Sequence, residues 1–227
     1  SNTGIEYETA LDLYHKGAKV YIACRNEGKA KDAIERMKAE GGTGELIYSH
    51  LDLASLNSVK DFSDKVLNAE SKLDLLINNA GVMIPPAAKT EDGFEIQFGI
   101  NFVGHFALTG HLFDLLESTK DARVVTLSSL AHRGANIDFD NFRLEKEYSS
   151  WREYGQSKLA DIIFALEFDK RLRENGNQIK SLAAHPGFSK TDLQVNMDKD
   201  MLASLDLMTA KQGARPSLTA ALHKDAK

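Results

Sequence analysis

Leu73-Asp74-Leu75-Leu76-Ile77-Asn78-Asn79-Ala80-Gly81 is the stretch on which the reading of this chain turns. The apolar run over 73–77 shows no regular polar alternation, so it predicts a strand covered on both faces. The polar turn after it then stands at the carboxyl end of a strand, where ligands of open α/β sheets collect. Gly81 lets a backbone come close to a ligand. A plain structural turn would have the same composition, so both readings stay open for Asn78, Asn79, Ala80 and Gly81.

Further strands read at 18–24, 46–51, 123–127 and 179–184, with helical patterns between them. Residues 5–14 open the series. A second helix carries Ala30, Ala33, Ile34 and Met37 on one face and is stopped by Gly41-Gly42. Ser55 is a candidate N-cap for a helix burying Leu56, Val59, Phe62 and Val66. Long helices are predicted over 94–117 and 151–174. This alternation indicates an α/β, doubly wound (Rossmann) parallel sheet with helices on both faces. No repeat, low-complexity tract or linker interrupts it, so residues 1–227 read as one domain that also contains the catalytic site.

Composition narrows the function classes. A chain of 227 residues with 42% apolar and 27% charged residues is ordinary for a globular protein. A net charge of −5 gives no electrostatic case for nucleic acid or an anionic membrane. Cys24 is the single cysteine, which excludes an internal disulfide and is expected to be a buried structural thiol. The histidines lack metal-ligand spacing, so no metal is expected. No signal peptide and no membrane-length apolar run is present. A cytoplasmic monomer or homodimer acting on a small molecule is the resulting expectation.

Tyr154-Gly155-Gln156-Ser157-Lys158 carries the chemistry. Its Tyr and Lys lie one turn apart on a helix face. An ordinary phenol titrates near ~10, and a fixed positive neighbour favours the phenolate. That makes a usable acid/base group near neutral pH. The spacing also arises by chance on solvated helices, and its weight comes from company. Ser128-Ser129 ends the run Val124-Val125-Thr126-Leu127, and Asn101 lies between that pair and the Asn-Asn-Ala-Gly turn.

Taken in order, Asn78-Asn79-Ala80-Gly81, Asn101, Ser129, Tyr154-x-x-x-Lys158 and Pro186-Gly187 resemble the short-chain dehydrogenase/reductase family over nearly the whole chain. Tyr21-Ile22-Ala23-Cys24-Arg25-Asn26, Ser128-Ser129-Leu130-Ala131-His132-Arg133 and His185-Pro186-Gly187 resemble its retinol-dehydrogenase-like and WW-domain-oxidoreductase-like branch. The insertion between Ser129 and Tyr154, with Phe139, Phe142 and Tyr148, is similar to that branch. The resemblance implies that Ser129, with Ser128 as rival, hydrogen-bonds a substrate carbonyl. Tyr154 would transfer the proton, Lys158 would lower its pKa and bind the nicotinamide ribose, and Asn101 would hold a relay water. It also implies that Asp52 and Leu53 contact the adenine, that Asn79, Ala80 and Gly81 line the cofactor, and that Asn78 positions it and steadies a neighbouring strand. Pro186, Gly187 and Thr191 would hold the nicotinamide amide.

Gly4 and Ile5 open a helix whose N–H groups can hold a pyrophosphate. Arg25 follows the strand at 18–24, and no acid occupies 23–26. An acid there would bind a ribose 2′-hydroxyl, whereas an Arg accommodates a 2′-phosphate, so NADP(H) is expected over NAD(H). The family fold normally opens with a strand before its Gly-rich turn. This chain begins inside the turn, with Glu6 where the last glycine is usual. A missing first strand in a truncated sequence is the expectation.

The function so indicated is hydride transfer between NADP(H) and an apolar carbonyl/alcohol pair. A non-catalytic dinucleotide-binding sensor or interaction protein is the alternative, and reduction of a carbon–carbon double bond a third. Leu193, Val195, Met197, Met201, Leu202, Leu205, Leu207 and Met208 would cover an apolar substrate, or pack on the protein's own core or a partner.

Overall fold

The computed structural model describes residues 3–198, 200 and 205–226. Met201 and Leu202 of the apolar C-terminal segment therefore lie outside the described residues. The chain groups into two compact units, Ser1–Asp52 with Pro186–Arg215, and Leu53–His185 with Pro216–Lys227.

In the first unit, strands β1 (Lys19–Cys24) and β2 (Glu45–His50) pair in parallel, from Lys19 opposite Glu45 to Cys24 opposite His50. Helices α1 (Gly4–His15) and α2 (Glu27–Ala39) pack on β1. Tyr7, Ala10, Leu11 and Tyr14 of α1 meet Ile22, and Ala30, Ala33, Ile34 and Met37 of α2 join the same core. The α2 face read from the sequence is thus the buried one. Gly41, at φ +80°, ends the helix in the left-handed conformation that glycine adopts without strain. Asn26 caps its start, accepting from the Lys29 N–H at 2.9 Å. Cys24 is only partly buried, and its thiol lies 3.5 Å from the Asn26 carbonyl oxygen.

In the second unit, β3 (Leu75–Asn78), β4 (Arg123–Leu127) and β5 (Lys180–Ala184) form a parallel sheet in the order β3-β4-β5. Val124, Val125, Thr126 and Leu127 are all buried, although successive residues face opposite sides. That sheet is therefore covered on both faces. Both sheets are wholly parallel, as expected of a doubly wound α/β fold.

Helix α3 (Leu56–Ala69) starts at Ser55, whose hydroxyl accepts from the Ser58 N–H. It buries Val59, Phe62 and Val66. The long helix expected over 94–117 is instead segmented into a π-helical turn at Phe98–Val103, α4 (Gly104–His111) and α5 (Phe113–Glu117). Such turns insert an extra residue into the helical register and re-aim the side chains they carry. Helix α6 (Ser150–Glu174) packs on β4, β5 and the π turn, and stops before Gly176 at φ +68°. Helix α7 (Ala210–Leu222) completes the described chain, and Arg123 donates to the carbonyl oxygens of Ala220 and His223. No helix among the described residues is long and apolar enough to cross a membrane.

Gly104 starts α4 where the helix presses on Leu53. An added Cβ would lie 2.6 Å from the Leu53 carbonyl oxygen and 3.0 Å from its Cβ. Gly104→Ala is therefore expected to cost about 1–3 kcal/mol through overpacking. The loss should read as a lower urea midpoint at unchanged slope.

Candidate active site

The π turn carries Asn101, which is 1% exposed. Its Oδ1 accepts from the Val82 N–H at 2.8 Å. Its Nδ2 donates to the Val82 carbonyl at 3.0 Å and to Ser157 Oγ at 3.0 Å. One amide thus ties the loop after β3 to α6. Its backbone carbonyl accepts from His105 Nδ1 at 2.8 Å.

On α6, Tyr154 is 5% exposed and Lys158 7%, one turn apart as the spacing predicts. Lys158 Nζ donates to the Leu127 carbonyl at 3.1 Å and to Asp161 Oδ2 at 2.8 Å. A Cβ placed on Gly81 would lie 3.1 Å from Asn101 Oδ1 and 3.9 Å from Lys158 Nζ. Gly81, Asn101 and Lys158 therefore converge, and glycine keeps their common space clear. Gly155 packs on the turn after β4, its added Cβ lying 3.0 Å from the Ala131 carbonyl.

The two serines of that turn divide. Ser128 is buried, and its hydroxyl donates to the Lys158 carbonyl at 2.7 Å while its N–H bonds Ala184. It is a tie between strand and helix. Ser129 is half-buried at the start of the 3₁₀ turn Leu130–His132, and its Oγ accepts from the Ala131 N–H at 3.2 Å.

Asp161 was not singled out in the sequence, although it sits three residues past Lys158 on the same helix face. Its side chain is 2% exposed. Burial lifts its carboxyl to about 6, with the Lys158 charge pulling the other way. The upward direction agrees with the geometry, because Oδ1 is buried without a hydrogen-bond partner among the described residues. Burial also works against the Lys158 ammonium, but Asp161 and then Tyr154 more than offset it, so its pKa lies above the ordinary value.

Asn78 donates to Thr109 Oγ1 at 3.1 Å, tying β3 to α4. The Asn78 and Asn79 Oδ1 atoms and His185 Nδ1 are buried with no hydrogen-bond partner among the described residues. Burial, first, keeps the His185 pKa below its usual value. Unpartnered buried polar atoms are rare and costly. Their place at the ends of β3 and β5 suits the polar groups of a nucleotide. Leu53 is buried, and Ala80 is half-buried in the loop after β3.

In the first unit, Gly4 opens α1 at φ +59°, and a Cβ there would lie 3.0 Å from Thr191 Cγ2. The structure thus brings Gly4 and Thr191 together. Ile5 is half-buried beside them. The Thr191 N–H and hydroxyl both donate to Gln194 Oε1, and Gln194 Nε2 donates to the Ser189 carbonyl at 2.7 Å. Gln194 had no signal in the sequence. Pro186 and Gly187 are half-buried, with Gly187 at φ +68°. Arg25 and Asp52 stand at the ends of β1 and β2, with 3.9 Å between Arg25 Nη1 and Asp52 Oδ2. The Arg25 side chain is 67% exposed, so this pair binds it weakly and leaves the guanidinium accessible. No group of metal-ligating side chains occurs among the described residues.

The family described as short chain dehydrogenase matches residues 1–202. Human retinol dehydrogenase 13 is 43% identical over 194 residues, covering 85% of this chain and 58% of that protein. Mouse retinol dehydrogenase 12 is 41% identical over 229 residues, covering 99% and 72%. A solved structure of an uncharacterised protein from Mycobacterium paratuberculosis superposes with a TM-score of 0.79 at 39% identity, covering 97% of this chain and 73% of that one. The Pseudomonas aeruginosa RhlG/NADP active-site complex superposes with a TM-score of 0.76 at 23% identity, a likeness of fold, covering 97% and 86%.

Asn101→Ala would strand the Val82 N–H and carbonyl. Leaving such groups unsatisfied costs about 1–3 kcal/mol each. The variant should unfold at lower urea, and the Val82 amide should exchange faster with solvent.

Proposed function

The chain belongs to the short-chain dehydrogenase/reductase family, and from that premise we propose that it is an oxidoreductase moving a hydride between NADP(H) and an apolar alcohol/aldehyde pair. The observation that carries the reading is the buried Tyr154–Lys158 pair on α6, with Lys158 Nζ beneath Gly81 and Asn101. Solvated chance pairs are not buried against a glycine-cleared space.

The cofactor, when bound, supplies the hydride. The second unit would hold it through Leu53, Asn79, Ala80, Gly81, Tyr154 and Lys158, and the unpartnered Asn79 Oδ1 is the observation that favours this. Within the first unit, taken by itself, the proposed cofactor contacts are Gly4, Ile5, Arg25, Asp52, Pro186, Gly187 and Thr191, with Arg25 suited to a 2′-phosphate.

Tyr154 gives its proton to the substrate oxygen on reduction and takes it back on oxidation. Ser129 Oγ already accepts from Ala131, so its own hydrogen can be donated to the same oxygen. Ser128 does not compete, because its hydroxyl hydrogen goes to the Lys158 carbonyl. Asn101 holds α6 and the loop after β3 in register, and a relay water would bind beside it. The names of the retinol dehydrogenases point to a long apolar alcohol, and that substrate class is the one proposed here.

Turnover of a panel of aldehydes with NADPH tests the reading, and no turnover of any would overturn it. Tyr154→Phe keeps the ring and removes the proton. Its kcat should fall at least ~10²-fold, the usual contribution of one general acid, while cofactor binding largely survives, the Tyr154 hydroxyl being one proposed contact among several. Near-normal turnover would take Tyr154 out of the mechanism. Arg25→Asp replaces a charge-assisted bond worth roughly 1.5–3 kcal/mol, about ten- to hundredfold in selectivity. The ratio of kcat/KM for NADPH over NADH should shrink or invert, and an unmoved ratio would make Arg25 a surface residue.

A further inference from the structure

Asp161 lies one turn beyond Lys158 on α6, and the proposed chemistry gives it no task. The Lys158 ammonium has three donors. Asp161 Oδ2 and the Leu127 carbonyl take two of them, at 2.8 and 3.1 Å. What remains faces the cleared space at Gly81, and Tyr154, one turn back on the same helix, also favours the charged ammonium. We propose that Asp161 is a positioning residue: its carboxylate, with the Leu127 carbonyl, holds Lys158 so that the third donor serves Tyr154 and the cofactor ribose, and protonating Asp161 loosens that hold. The proposal rests on the roles given to Tyr154 and Lys158 above.

A Lys side chain has a flexible four-carbon stem, so an ammonium with one fixed partner is poorly aimed. A second, charged acceptor fixes it. A neutral carboxyl is the weaker acceptor, because charge-assisted bonds are roughly twice as strong as neutral ones.

The charged groups on the elements around α6 are engaged elsewhere. Arg123 of β4 donates to the Ala220 and His223 carbonyls, and Lys180 of β5 to the Lys224 carbonyl. His132 of the 3₁₀ turn bonds the Ser129 carbonyl. The π turn, Phe98–Val103, has no titratable side chain. On α6 itself, Lys158 is the charge that acts on Asp161.

The sign follows from the direction of the shift. The folded carboxyl titrates at about 6, above its ordinary 3.8. The ion pair is therefore present above about 6 and lost as pH falls through it. Between the two values the folded state holds the extra proton, so this group's contribution to stability is present at low pH and lost as pH rises toward about 6.

The test uses the full-length protein, with NADPH binding followed by nicotinamide fluorescence from pH 5 to 8. The 2′-phosphate of NADPH itself titrates near pH ~6, so the ratio of wild-type to Asp161→Asn affinity is read. That ratio should be about tenfold at pH 7.5, the loss of one charge-assisted bond, and should approach one at pH 5. Asp161→Glu, which keeps the charge, should recover part of the loss. A ratio near one throughout, or one that does not change with pH, would overturn the proposal.

Thermal unfolding of the cofactor-free protein gives a second readout. The melting-temperature difference between wild type and Asp161→Asn should change between pH 4 and 7, and a constant difference would also overturn the proposal. If Asp161→Asn does not fold, Asp161→Ser, which also removes the carboxylate, is measured in its place, and a wild-type-to-variant affinity ratio near one, or one that does not change with pH, overturns the proposal. Wild-type protein that binds NADPH with the expected ratio but reduces no carbonyl substrate leaves this positioning intact while removing the oxidoreductase reading.

Discussion

One buried amide, that of Asn101, holds the second unit's site in register. It closes both backbone groups of Val82 and the Ser157 hydroxyl. Each bond contributes only about 0.5–1.5 kcal/mol net, but each partner would be costly to leave unmade. The loop after β3 and the helix bearing Tyr154 and Lys158 therefore cannot drift apart without exposing several unsatisfied groups at once. The π turn ahead of α4 departs from the regular helical register where that amide is put in place.

The segment between Ser129 and α6 is held by the same kind of force. Glu153 is fully buried and accepts from Asn141 at 3.0 Å and from Arg152 Nε at 2.8 Å. Gln97, also fully buried, donates to the Tyr148 hydroxyl and the Ser150 carbonyl. Its Oε1 accepts from the Ile84 N–H, and Ile84 stands at φ +44°, an uncommon state for a β-branched residue. Such strain persists where surrounding bonds over-determine it, and it clusters at functional sites. Tyr148 in turn donates to the Pro85 carbonyl at 2.6 Å. Glu95 caps the Gln97 and Phe98 N–H groups, and burial raises its carboxyl above the usual range. Phe98 stacking on Phe142 at 4.5 Å supplies the apolar part. The insertion is thus pinned to the loop beyond β3 and to α6 by satisfied polar groups.

Chemistry and stability share residues here with a clear division. Ser128 and Asn78 spend their hydrogen-bonding groups on tying strands to helices. Ser129 and Asn79 keep theirs at the strand ends. Lys158 belongs to both groups, since its backbone carbonyl receives Ser128 while its ammonium faces Asp161, Leu127 and the space below Gly81.

The sequence by itself determined the parallel α/β class, the strands, most helix limits and the placing of Tyr154 and Lys158 on one face. These depend on local periodicity and on stop signals such as Gly41 and Ser55, which act within a turn or two of chain. It also showed the order of motifs from Asn78 to Gly187, on which the family assignment turns. Only the tertiary structure decided which serine is tied down, why the helix expected over 94–117 is segmented at Asn101, that Gly4 packs on Thr191, and that a buried carboxylate accompanies Lys158. Asn101 and Val82 are 19 residues apart, and Ser157 lies 56 beyond Asn101. Neither separation leaves a periodic trace, because such pairings are selected by which buried polar groups would otherwise have no partner, and that is settled only once distant segments are packed.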